Sequence, residues 1–294
     1  MFRSIILLVT SLLLPTVANA STILTSFKPI QMIVVELTLG VSEPDVLMNS
    51  NASPHDYALK PSDVKKIQQA DMVIWFGRDL EASFVKVLEG KSNVLTISQI
   101  PNLNLREFGS ADHDAHEGHD HGSHDPHFWL GIDQVKVAAQ HISAELIKLD
   151  SENTAQYQAN LNQFIINLDA KKRSITEQLH PVKDTGYYVF HDAYGYFEED
   201  FGLNNLGYFT VSPERKPGAK TLISIRNTLK RDNVQCVFSE PQFTPAVIAS
   251  VTRGSQATKG QLDPVGSTIN VQPGSYFDFL QQLTESYTDC LAKK

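Results

Sequence analysis

Residues 150–181 read DSENTAQYQANLNQFIINLDAKKRSITEQLHP, with no glycine and no proline before the last position. Asp150 or Ser151 can cap the start of a helix here, and Pro181 ends it. The stretch is longer than an ordinary globular helix. It predicts one rigid helix over residues 148–181 that joins two lobes, and the alternative is two consecutive helices in a single domain. The apolar residues at helical spacing are Tyr157, Leu161, Phe164, Ile165, Leu168, Ile175 and Leu179.

Short β-rich runs alternate with helical patterns on both sides of this segment. Before it, the predicted strands are TILTSF (22–27), MVIWF (72–76) and NVLTI (93–97), and the predicted helices are residues 28–40, 61–70 (capped by Ser62) and 79–90. After it, the predicted strands are GYYVF (186–190), NLGYFTV (205–211) and VQCVFSE (234–240), and the predicted helices are residues 219–232, 244–254 and 275–294. This alternation predicts the α/β class, with two lobes at 21–147 and 182–294 built on mostly parallel sheets flanked by helices.

The first twenty residues, MFRSIILLVTSLLLPTVANA, are typical of a cleaved signal peptide. Arg3 precedes an apolar run from Ile5 to Leu14, and small residues end the segment at Ala20. The alternative, an N-terminal membrane anchor, is weaker because this run is too short for a hydrocarbon core of ~30 Å. We therefore expect an exported chain that begins near Ser21. No membrane insertion of the mature chain is expected.

Charge and cysteine content narrow the class of protein further. The formal net charge of the 294-residue chain is -8, and no basic patch indicates a nucleic-acid partner. Cys236 and Cys290 are the two cysteines, and an even pair in an oxidising compartment indicates a disulfide. Two unpaired buried thiols are the alternative.

Four residues at the ends of predicted elements could bind a metal ion. His55 lies in a loop before a helix, and His191 directly follows a predicted strand, at the edge where α/β proteins bind ligands. His127 closes a histidine-rich polar run and enters a structured segment, and Asp263 lies in a short loop of the second half. Each alone also fits an ordinary polar loop residue. His141 and His180 lie on helices and are assigned no ligand role.

Three imidazoles and a carboxylate suit a borderline-soft divalent ion. Zinc takes four such ligands in a tetrahedron, whereas manganese, magnesium and calcium prefer oxygen-rich shells. The HExxH pattern common in zinc hydrolases is absent from the sequence. The residues therefore favour Zn²⁺ as the bound ion.

The motifs HDYALKPSD, DPHFWL, FHDAYGYF, PERKPGAKTLISIRNTLK, FSEPQF and LDPVGS occur in the order of the ZnuA-like family. The chain thus resembles the periplasmic zinc-binding proteins of ABC transporters over nearly all of its mature length. The resemblance implies a helical-backbone metal receptor, in which one long helix joins two α/β lobes and the metal lies between them. It also implies a disulfide between Cys236 and Cys290.

By motif match, the resemblance places metal ligands at His55, His127 and His191, with Asp263 as a possible fourth. Manganese-binding relatives carry a carboxylate at the position of His191, so this histidine supports zinc. Some relatives carry an acidic residue where this chain has Pro54. The fourth ligand is therefore Asp263 or water.

Two further features are interpreted around this site. Glu240 ends a predicted strand and could accept a hydrogen bond from a ligand imidazole, or it could be an ordinary polar residue. Residues 111–126 are predicted to form a mobile loop that binds metal weakly. A merely solvating linker is the alternative. The loop histidines are His113, His116, His119, His121 and His124.

The function that the resemblance implies is zinc uptake without catalysis. A monomeric periplasmic solute-binding protein would capture Zn²⁺ and deliver it to an inner-membrane ABC permease. A secreted histidine-rich zinc store or adhesin is one alternative. A three-histidine zinc hydrolase with Glu240 as the base is another.

Overall fold

Two parallel sheets of four strands each form the frame of the chain. The computed structural model describes residues 21–48, 52–107, 124–210, 218–231, 234–243 and 246–293. The first sheet has the order β2-β1-β3-β4, with β1 Ile23–Phe27, β2 Asp45–Met48, β3 Met72–Trp75 and β4 Val94–Thr96. The second has the order β6-β5-β7-β8, with β5 Tyr187–His191, β6 Asn205–Thr210, β7 Cys236–Ser239 and β8 Thr258–Gln261. All paired strands are parallel, which confirms the predicted α/β class.

Helices provide the crossovers that parallel strands need. They are α1 Lys28–Leu37, α2 Pro61–Gln69, α3 Val85–Leu88, α4 Ile132–Leu149, α5 Thr154–Leu179, α6 Gly195–Phe201, α7 Ala219–Arg231, α8 Ala246–Val251 and α9 Ser275–Leu291. Within the described part of the chain, no helix is both long and apolar enough to cross a membrane.

Helix α5 is the predicted joining helix, and it is 26 residues long. It packs against α1 and α4 of the first half and against α9 of the second. It begins later than predicted because Asp150 ends α4 and the chain first makes a 3₁₀ turn over Ser151–Asn153. Neither Asp150 nor Ser151 is therefore its cap, whereas the predicted end before Pro181 is confirmed. The exact lobe boundaries stay predictions.

Three further details differ from the sequence prediction. Helix α2 is not capped by Ser62, because the Asp63 carboxylate accepts the backbone N–H of Lys60 at 2.8 Å. The helix predicted over 79–90 is broken into a 3₁₀ turn and the four-residue α3, because buried Glu81 accepts the backbone N–H groups of Phe76 and Gly77 in a tight turn. Strands β2 and β8 and helix α6 were not predicted.

The two halves share one hydrophobic core. The indole of Trp129 is fully buried between them, and its Nε1–H donates to the Pro264 carbonyl at 2.6 Å. Tyr276 donates its hydroxyl to the Trp129 carbonyl at 2.7 Å. In the second half, the predicted disulfide between Cys236 and Cys290 is present and links β7 to α9.

Candidate metal centre

Three histidines from separate segments meet at one end of the sheets. His191 is the last residue of the central strand β5, and it is buried. His55 lies on a 3₁₀ turn at Pro54–Asp56 in the connection after β2, and it is half-buried. His127 directly precedes the 3₁₀ turn Phe128–Leu130 and is buried. The carboxyl ends of parallel strands and the loops beside them thus form the site, as expected for this fold class.

The three imidazoles converge through the same ring nitrogen. Nε2 of His127 lies 3.2 Å from Nε2 of His55 and 3.3 Å from Nε2 of His191. A tetrahedral zinc ion with Zn–N bonds of ~2.05 Å separates its nitrogen ligands by roughly 3.3 Å. The observed spacing therefore fits three corners of a zinc tetrahedron, and one ligand atom of each residue lies within 4.8 Å of the others.

Buried carboxylates accept hydrogen bonds from the second ring nitrogen, Nδ1, of His127 and His191. Asp125 Oδ1 lies 2.7 Å from His127 Nδ1, and Glu240 Oε1 and Oε2 lie 2.7 and 2.9 Å from His191 Nδ1. An ionised carboxylate accepts only, so each Nδ1 carries the hydrogen and each Nε2 keeps its lone pair for a metal. The geometry gives Glu240 the contact predicted for an orienting acceptor.

Asp125 is a site residue that the sequence interpretation missed. Its second oxygen accepts from Arg106 Nη1 at 2.7 Å, and its backbone carbonyl accepts from the Tyr196 hydroxyl at 2.7 Å. Arg106 in turn donates to Glu199 at 2.6 Å. This network ties the segment before His127 to α6 of the second half. The available signal was the acidic residue two positions before His127, inside the motif DPHFWL.

The electrostatics of the centre favour a cation. Burial lowers the pKa of His191, but the nearby Glu240 carboxylate outweighs this effect and raises that pKa above its ordinary value of 6.5. In the metal-free protein, the Glu240 carboxylate thus favours the protonated imidazole of His191, in which Nε2 also carries a hydrogen. A divalent ion at Nε2 can replace that positive charge.

Asp263 lies outside the group of three imidazoles. Its Oδ1 accepts from Gln242 Nε2 at 2.8 Å and from the backbone N–H of Val265 at 3.2 Å. Its Oδ2 accepts from the backbone and the hydroxyl of Ser267. The carboxylate faces a neighbouring pocket, which is also lined by Gln261. The structure therefore does not bring this predicted ligand together with the histidines.

The histidine-rich stretch is only partly described. His113, His116, His119 and His121 lie outside the described residues, as does the predicted signal peptide at 1–20. His124 forms an isolated antiparallel bridge with Glu107, directly before Asp125. Glu107 is thus paired with His124 beside the network that orients His127.

Together, the fold and the site define a metal receptor in which two parallel sheets, joined by one helix, present three converging imidazoles. Residues 23–290 match the family model ZnuA, described as "Zinc-uptake complex component A periplasmic". The chain is 40% identical over 306 residues to the high-affinity zinc uptake system protein ZnuA of Yersinia pestis, covering 97% of this chain and 96% of that protein. The chain belongs to the ZnuA family.

Solved structures share the whole fold. A crystal structure of ZnuA matches with a TM-score of 0.79 and 25% identity, over 93% of this chain and 100% of that one. The solute-binding protein FpvC of Pseudomonas aeruginosa, in complex with Mn²⁺, also matches with a TM-score of 0.79, at 20% identity over 93% of this chain and 99% of that one. A protein that shares this fold thus also occurs in complex with Mn²⁺.

Proposed function

We propose that this protein is the periplasmic solute-binding component of a zinc-uptake system. It binds Zn²⁺ through Nε2 of His55, His127 and His191 and delivers the ion to an inner-membrane ABC permease. The observation that carries this proposal is the spacing of 3.2 and 3.3 Å between the three ring nitrogens. Family membership supports the role in zinc uptake, and the family is not one of enzymes.

Finer parts of the proposal concern the mature chain. We propose that it is exported, that cleavage occurs near Ser21, and that it acts as a monomer. The histidine-rich stretch at 111–126 is proposed to bind additional zinc weakly, because each coordination geometry there must first be ordered.

The two alternative functions have less support. A hydrolase would need Glu240 as a free base, but both of its carboxylate oxygens lie within 2.9 Å of His191 Nδ1. A zinc store or adhesin would depend on the histidine-rich stretch. Deleting residues 111–124 would then remove most of the tight binding, whereas in the transport proposal it lowers only the number of zinc ions bound.

Zinc titration of the metal-free mature chain tests the function. We expect one tight zinc site in the full chain and in the chain lacking residues 111–124, measured by competition with a chromogenic chelator. Manganese should bind at least roughly a hundredfold more weakly, since imidazole ligands favour zinc. Equal affinity for the two metals, or loss of the tight site on deletion, would contradict the proposal.

Zinc affinity is expected to fall as the pH drops, and the fall should begin above pH 6.5. Because the pKa of His191 is raised above 6.5, its proton is held more tightly than in a free imidazole, and zinc must displace it. Each displaced proton lowers the apparent affinity by about tenfold per pH unit below that pKa. Chelator competition between about pH 8 and pH 5.5 measures the onset.

Glu240→Gln is the matched variant for this pH profile. It removes the charge that raises the pKa of His191, so the onset of the affinity loss should move to lower pH. An unchanged onset would show that the pair does not set the proton competition.

A further inference from the structure

The side chain of Gln242 lines the same small pocket as the three imidazoles. It lies two residues after Glu240, in the connection that follows β7. Its Nε2 donates to Asp263 Oδ1 at 2.8 Å. Gln242 therefore links the imidazole pocket to the carboxylate of Asp263.

The orientation of this amide follows from its partner. A carboxylate cannot donate a hydrogen bond, so the group that meets Asp263 must be the NH₂ of the amide. The carbonyl Oε1 is left as the other polar atom of the side chain. It is buried, and the described residues offer it no hydrogen-bond donor. A buried acceptor without a donor is costly, which indicates a missing partner at this position.

Asp263 is itself fixed by its other contacts. The backbone N–H groups of Val265 and Ser267 and the hydroxyl of Ser267 all donate to its two oxygens. These hydrogen bonds stabilise the carboxylate in its present orientation. Turning toward a metal would break them. It can instead hold the Gln242 amide in one orientation.

We propose that Gln242 Oε1 accepts a hydrogen bond from a water molecule that is the fourth zinc ligand, and that Asp263 positions Gln242 for this contact. The inference rests on the proposed three-imidazole zinc site. A water bound to zinc is strongly polarised and donates well, so it supplies the donor that Oε1 lacks. Three protein ligands and a water complete the tetrahedron. Direct binding of Oε1 is disfavoured because zinc in proteins takes imidazole, thiolate and carboxylate ligands.

Gln242→Leu tests the contact, with Gln261→Leu as the matched control on the exposed surface near Asp263. Loss of a partner behind the ligand shell weakens metal binding by about 10–100-fold, which is the loss expected for Gln242→Leu. Gln261→Leu should bind as the unaltered chain does. Gln242→Met keeps the side-chain length without the oxygen and serves if the leucine variant does not fold. A loss below about threefold in the folded variant would overturn the inference.

Zinc X-ray absorption distinguishes the bound water from a protein oxygen. We expect three imidazoles and one oxygen in the unaltered chain, in Gln242→Leu and in Asp263→Ala. A carbon neighbour of the coordinating oxygen that disappears in Gln242→Leu would mean that the amide binds directly, and one that disappears in Asp263→Ala would mean that Asp263 is the ligand. Either result would overturn the inference. Absence of the three-imidazole shell from the unaltered chain would instead reject the proposed function.

Asp263→Ala and the double variant with Gln242→Leu test the positioning role. If Asp263 acts through Gln242, the double variant should lose no more affinity than Gln242→Leu alone, because the two residues form one link. Additive losses would show that Asp263 acts by another route and would overturn that part of the inference.

Discussion

His191→Ala is expected to remove the tight zinc site while leaving the fold intact. Four-ligand zinc sites in peptides bind with ~10–16 kcal/mol, so one ligand contributes roughly 3–4 kcal/mol, or a several-hundredfold change in affinity. His191 also holds Glu240 at 2.7 Å, so its loss leaves a buried carboxylate without this partner. Competition with a chelator of known affinity measures the change.

His141→Ala is the control for this experiment. His141 is a half-buried histidine in α4 with Nδ1 3.1 Å from the Val137 carbonyl, and it lies outside the group of three imidazoles. It should leave the tight site unchanged. If His191→Ala bound zinc as tightly as the control, His191 would not be a ligand, and residual weak binding alone would agree with sites in the histidine-rich stretch.

Removal of the disulfide is expected to have the largest effect on stability. The bond joins residues 54 positions apart, and closing a loop of that length stabilises the fold by about 4 kcal/mol in the chain-entropy treatment. For a chain of this size, about 2 °C of Tm per kcal/mol gives a loss of about 8 °C in Cys236→Ser/Cys290→Ser. Calorimetry of the metal-free protein measures it.

Reduction of the unaltered chain with a thiol provides the matched comparison, because it breaks the same bond without a substitution. Both samples should melt at nearly the same temperature. A shift below about 2 °C in both would show that the crosslink constrains the unfolded chain much less than its length implies.

The strongly patterned parts of the fold could be predicted from sequence. Helix α5 was predicted because its apolar residues repeat at helical spacing, and β5 because it is an unbroken apolar run. Strand β8 reads TKGQ, and its residues are alternately half-buried and exposed. It forms a strand because it pairs with β7, and its own residues do not predict one. The predicted start of α5 was wrong, because Asp150 ends α4 and Ser151 lies in the 3₁₀ turn that follows it. Neither residue is therefore free to cap α5.

The residues of the site also divide into those that could be predicted from sequence and those that could not. His55, His127 and His191 could be named as candidates because each lies beside a recognisable element and within a motif of the family that the chain resembles. The contacts of Asp125 and Gln242 could not be predicted, because they depend on which atoms face each other after folding. Asp263 has the ligand chemistry expected of a metal site, yet its hydrogen bonds to Val265 and Ser267 turn it to other partners.

The buried indole of Trp129 limits how the protein can be unloaded. Opening the two halves would break its hydrogen bond to Pro264 and that of Tyr276 to its own carbonyl, and it would expose a fully buried aromatic ring to water. Among the three imidazoles, only that of His55 reaches the rim, on a three-residue turn. Exchange of the ion that begins at His55 would leave these buried contacts between the halves in place.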